Sequence, residues 1–120
     1  MARRDEFGYT KVMLDIGTWD MNSTTDILIP HGLSSSEWKS IRNVGVMLSN
    51  DADDVRVTLD SLSISFGSLP SGGLNYVDST NVALYRDAGG VFDGGLEYTS
   101  TPTIDDVTTR GWITFEYIAN

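Results

Sequence analysis

The stretch Ile41-Arg42-Asn43-Val44-Gly45-Val46-Met47-Leu48-Ser49-Asn50-Asp51-Ala52-Asp53-Asp54-Val55-Arg56-Val57-Thr58-Leu59 decides the fold class. Apolar side chains occupy every second position, so Val44, Val46 and Leu48 share one face of an extended segment. After the polar run Asn50 to Asp54 the alternation resumes, with Val55, Val57 and Leu59 facing inward and Arg56 and Thr58 outward. Successive side chains of a strand point to opposite sides, which makes period two the mark of a half-buried strand. Two such runs joined by a short polar turn predict an antiparallel hairpin.

The same reading extends in both directions. Lys11 to Ile16 alternates through Val12, Leu14 and Ile16 before Gly17. Asp26 to Pro30 is a short Ile/Leu strand, stopped by a proline that has no N–H to give to a ladder. Leu62, Ile64 and Phe66 form another alternating set, and Gly67 to Gly73 reads as a Gly/Ser/Pro loop. Asn75 to Val77 is a weak strand, Val82 to Arg86 a stronger one, and Leu96 to Ser100 an edge strand. Trp112 to Ile118 places Ile113, Phe115 and Tyr117 on one face. A strand this apolar needs partners on both sides, so it is expected in the middle of its sheet or at a subunit interface. Ser34 and Glu37 fit a capping box that launches about one helical turn through Trp38 and Lys39. Eight or nine short strands with one helical turn predict an all-β protein, an antiparallel β-sandwich of jelly-roll-like type.

Composition sets further bounds. A chain of 120 residues with 40% apolar and 21% charged side chains suits one globular domain with a real core. Residues 10–120 are expected to form that domain. Residues 1–9 are expected to be a flexible N-terminal arm, in which Arg3 and Arg4 read as a solvated terminus or, alternatively, as a docking element for a neighbouring subunit. No apolar run follows the arginine pair, as a signal peptide would require. The net charge of −9 repels phosphate backbones and anionic lipid, so neither nucleic acid nor membrane insertion is expected. Cysteine is absent, which removes disulfides, thiolate metal sites and cysteine nucleophiles together.

Catalytic chemistry finds little support. The single histidine, His31 in Pro30-His31-Gly32-Leu33, has no Gly-x-Ser-x-Gly elbow to serve and reads as a turn residue. Seventeen acidic residues always supply some carboxylate pair, and nothing in the spacing singles one out for glycoside hydrolysis. Asp51, Asp53 and Asp54 resemble a calcium loop only superficially. Arg56 stands where the loop glycine should be and Leu62 where the bidentate glutamate should be. Solvated turn acids are the default; an irregular calcium site joining them to Asp105 and Asp106 is the alternative. No cofactor is expected. Trp19, Tyr76, Tyr85 and Tyr98 lie near loops, where aromatic faces can stack on sugars or on a partner, and packing is the competing role. Trp38 and Trp112 read as packing residues.

Several signatures stand in a recognisable order. Ile16-Gly17-Thr18-Trp19-Asp20-Met21 precedes Ile29-Pro30-His31-Gly32-Leu33, then Ile41-Arg42 and Ser49-Asn50-Asp51. Later come Asp78-Ser79-Thr80-Asn81-Val82-Ala83-Leu84-Tyr85-Arg86, Gly90-Val91-Phe92-Asp93 and Arg110-Gly111-Trp112-Ile113-Thr114-Phe115. In this order the chain resembles small β domains of tailed-bacteriophage structural proteins, of the fibre-tip, receptor-binding or head-decoration type. The resemblance implies a virion location and a homo-oligomer, typically a trimer. It also implies contacts with other virion proteins and with host-surface glycans, and no enzymatic activity. A carbohydrate-binding module of an extracellular enzyme is the second reading, and a small hydrolase the third.

Overall fold

The computed structural model describes residues 8–59, 72–88, 92 and 97–119. Its strands are β1 (Tyr9–Asp15), β2 (Asp26–Pro30), β3 (Arg42–Ser49), β4 (Arg56–Thr58), β5 (Gly72–Val77), β6 (Asn81–Arg86), β7 (Thr103–Ile104), β8 (Val107–Thr108) and β9 (Gly111–Ile118). One short helix, α1 (Ser35–Lys39), lies between β2 and β3. All pairings are antiparallel. A four-stranded sheet has the order β1-β9-β3-β4, a three-stranded sheet the order β2-β6-β5, and β7-β8 form a small separate ribbon.

The alternation seen in the sequence sorts the two large sheets into inner and outer faces. In register, Val12 meets Phe115, Leu14 and Val46 both meet Ile113, and Leu48 meets Val57. In the smaller sheet Ile27 meets Leu84 and Ile29 meets Val82. These side chains belong to one continuous apolar cluster, so the two sheets share a core as a sandwich does. The all-β antiparallel class is therefore as expected. The finer jelly-roll description is not established by the strand orders β1-β9-β3-β4 and β2-β6-β5.

β9 runs between β1 and β3, the central position its apolar face requires. Gly111 opens it because nothing larger fits: a Cβ there would sit 1.9 Å from the Met47 carbonyl oxygen. The capping box forms as read, with the Ser34 hydroxyl accepting from the Glu37 amide and the Glu37 carboxylate accepting from the Ser34 amide. The Ser40 hydroxyl then accepts the Ile118 amide at 2.7 Å, which ties the end of α1 to the end of β9.

Several expectations need correction. Gly72 and Gly73 are not loop but pair with Arg86 and Tyr85 inside β5. Residues 97–100 are a series of bends rather than an edge strand, because the Asp51 carboxylate draws the Thr99 and Ser100 amides out of any ladder. Val55 is exposed, not inward, since the turn ends only at Arg56. Tyr9 belongs to β1 rather than to the end of the expected arm. The Leu62-Ile64-Phe66 set, residues 67–71 and Leu96 lie outside the described residues, as do Arg3 and Arg4.

Candidate functional site

The aromatic residues expected to share a contact surface divide into two groups. Trp19 and Tyr98 belong to the core. Trp19 is 1% exposed, its indole N–H donates to the Thr24 carbonyl at 2.9 Å, and its own carbonyl accepts from Arg110. Tyr98 packs edge-on against Phe92, with ring centroids 4.8 Å apart. Burial, with the neighbouring Glu97 charge, pushes its phenol pKa up. Neither ring has a free face to offer a sugar, and the expectation is corrected for both. Tyr76 and Tyr85 lie elsewhere, on the outer face of the three-stranded sheet.

That outer face follows from the register. Leu28 and Tyr76 both pair with Ala83, and Asp26 pairs with Tyr85. Leu28 is 54% and Tyr76 46% exposed, while Ala83 beneath them is buried. Tyr85 is half-buried beside them. The face is thus a small apolar plateau bordered by Asp26 and Asn81, with Asp78 and Asp87 at the ends of β5 and β6. Among the described residues it presents no exposed basic side chain: Arg86 is buried and its guanidinium turns back to the Asn22 and Thr24 carbonyls.

The outer face of the four-stranded sheet has a different character. Met13 and Thr114 pair, as do Thr114 and Gly45; Asp15, Trp112, Met47 and Thr58 form the next row. Met13 is 65% exposed. The Arg56 guanidinium lies 4.7 Å from the Trp112 ring centre, a favourable stacking of cation on aromatic face. Lys11, Glu116 and Arg42 form a third row. A β-bulge between Arg42 and Gly45 interrupts β3, with Asn43 in the left-handed region at φ 57°, a conformation asparagine tolerates well. Beside the bulge a shallow depression of about 470 Å³ is lined by Lys11, Val12, Met13, Asn43, Thr114, Phe115 and Glu116.

At one end of the sandwich a buried arginine that the sequence reading missed holds the loops together. Arg110 is fully buried. Its Nε donates to the Trp19 carbonyl at 3.0 Å and Nη1 to the Ser49 carbonyl at 2.9 Å, while Nη2 lies 3.0 Å from Asp51 Oδ1. Its guanidinium also stands 5.4 Å from the Tyr98 ring centre. Partial burial alone would raise the Asp51 pKa. The Ser100 and Thr99 amides and the Arg110 charge outweigh it and hold the carboxyl below the usual range. The sequence signal was faint: an arginine just before a glycine that must start a strand.

The remaining candidates have local partners. Asp53 accepts from the Ser49 hydroxyl and from Arg56, which lower its pKa. Asp54 accepts from the Asn50 side-chain amide at 2.7 Å. Each of the three turn acids therefore engages different protein donors. Asp105 and Asp106, both at positive φ, make the two-residue turn of the β7-β8 ribbon, a backbone role that aspartate can fill. Among the described residues no three metal-ligating side chains come together. His31 is buried. Its Nδ1 accepts from the Leu33 amide at 3.0 Å, so Nε2 carries the proton and donates to the Asp78 carbonyl at 2.8 Å. Both ring nitrogens are thus bonded to backbone, as a turn histidine's would be. No helix among the described residues is long and apolar enough to cross a membrane. No family model, curated protein or solved structure matches the chain.

Proposed function

We propose that this chain is a non-catalytic assembly module of a tailed-bacteriophage particle, which associates with copies of itself and with neighbouring virion proteins through its sheet faces. The ordered motifs quoted above motivate the phage assignment. The observation that carries the assembly role is the exposure of Met13, Leu28, Met47 and Tyr76 on the outward faces of paired strands. Apolar side chains gathered on a flat sheet mark a contact surface more often than singly scattered ones do. Symmetric oligomers are a common way to bury such faces. Light scattering across a concentration series tests the reading. A mass that is a multiple of 13.1 kDa supports it, and a strict monomer at every concentration refutes it.

One observation favours a second reading, glycan binding. Tyr76 and Tyr85 stand on the same outward face with Asp26 and Asn81 beside them, a combination of apolar platform and polar rim suited to a pyranose ring. Binding on a glycan array, lost in Tyr76→Ala with the fold intact, would support it. Silence on a broad array, with and without calcium, would remove it.

A further inference from the structure

The two outward sheet faces differ in charge as well as position, and the difference bears on how copies of this chain meet. Four basic side chains are exposed among the described residues: Lys11, Lys39, Arg42 and Arg56. Three lie on the outer face of the four-stranded sheet, and Lys39 stands at the end of α1 beside it. That face also carries Asp15 and Glu116, so on a chain of net charge −9 it is locally balanced. Among the described residues the outer face of the three-stranded sheet carries acidic groups and no exposed basic one, Asp26 with Asp78 and Asp87 at its margins. Both faces have apolar centres. One rises, with Leu28 and Tyr76 standing above Ala83. The other is hollowed beside the β3 bulge, between Asn43 and the Lys11, Met13, Thr114 and Glu116 side of the sheet.

Resting on the assembly reading above, we infer that the chain associates head to tail, the Leu28–Tyr76 face of one copy docking on the Met13–Trp112 face of the next. Contact between two three-stranded faces would bring two sets of acidic margins together, and like charges brought together disfavour such pairing. The heterologous arrangement sets the acidic margins against Lys11 and Arg42, Arg56 being already paired with Asp53. It also sets a raised apolar face against a depression of about 470 Å³. Contacts of this kind close into rings or continue as filaments. The smaller face is modest. Three strands about 4.8 Å apart and five residues of about 3.4 Å each span about 14 by 17 Å. A standard interface buries about 800 Å² per partner, so the contact must extend onto the rims, and association is expected to be weak and concentration-dependent.

Complementary single-face variants test this with the full chain. Leu28→Lys places a cation on the acidic face, and Met13→Glu places an anion on the balanced one; both positions are exposed, so folding should survive, as circular dichroism would verify. In sedimentation velocity the parent chain should form multiples of 13.1 kDa, each variant alone should be monomeric, and an equimolar mixture should recover a species of twice that mass. That recovery is specific to a heterologous contact, because each variant retains the one face the other lacks. If the parent associates and either variant associates equally well alone, or the mixture stays monomeric, the head-to-tail contact is wrong while self-assembly stands. A monomeric parent would overturn both.

Discussion

Replacing Arg110 with methionine should lower stability by about 3 kcal/mol, a magnitude that follows from its surroundings. Removing one member of a fully buried ion pair costs about 3–5 kcal/mol, mostly because a charge is stranded. Here the stranded member is mild. The Asp51 side chain keeps 21% of its surface in water, and the Thr99 and Ser100 amides continue to bond it. The heavier loss falls on the Trp19 and Ser49 carbonyls, which lose their guanidinium donors in the interior. A buried acceptor left without a partner costs about 1–3 kcal/mol, and methionine restores the stem's packing but none of the donors. Urea unfolding reads the outcome. With a slope of about 2 kcal/mol per molar, ordinary for a small domain, the midpoint should fall by about 1.5 M with little change in slope. A shift below about 0.3 M would mean that the guanidinium is dispensable and that the loops are held by something else.

Other perturbations probe separate parts of the molecule. Gly111→Ala drives a methyl group into the Met47 carbonyl, and strand β9 must move; a loss of about 2–3 kcal/mol in the same urea assay is expected. Trp19→Ala should cost about 3–5 kcal/mol as a core truncation, whereas Tyr76→Ala, on the exposed face, should change stability by less than about 0.5 kcal/mol. Equal effects would contradict their placement. The carboxyls of Asp51, Asp53 and Asp78 are held below the usual range by the donors around them. Groups with lowered folded-state values bind protons more weakly folded than unfolded, so their contribution is complete above about pH 4 and is lost as pH falls through the depressed values. Melting temperature should drop on acidification below that point. The drop should be smaller in Asp51→Asn, which has already lost one of the three contributions.

What the sequence disclosed and what it concealed divide along physical lines. Strands with a clean period of two, β1, β3 and β9, were legible because one face of each is buried and the other is not. The capping box at Ser34 and Glu37 was legible because its chemistry is local. Only the second half of β5, Asn75 to Val77, was legible as a weak strand, because its first residues, Gly72 and Gly73, carry no side chain to show a period. The bends at residues 97–100 were read as a strand because the deciding group, the Asp51 carboxylate, is nearly fifty residues away. Trp19 and Tyr98 look alike from sequence whether they face water or the core. Only the Arg110 network, assembled from four separate loops and strand ends, reveals that they line its interior. Tyr76 and Tyr85 fall on a common face because of a register shift between Leu74 and Tyr76, which no local pattern announces.

The placement of β9 between β1 and β3 carries a consequence for biosynthesis. Tyr9 finds its partner in Ile118, more than a hundred residues downstream. At about 5–20 residues per second, the first of these strands waits roughly 5–20 s on the ribosome before its neighbour is made. During that interval β1 and the β9-facing edge of β3 hold unpaired backbone groups that residues 111–118 later cover. Non-local pairing of this kind is slow and exposed to aggregation. Yield in a host cell should therefore depend on chaperone capacity and growth temperature more steeply than the stability of the finished sandwich would suggest.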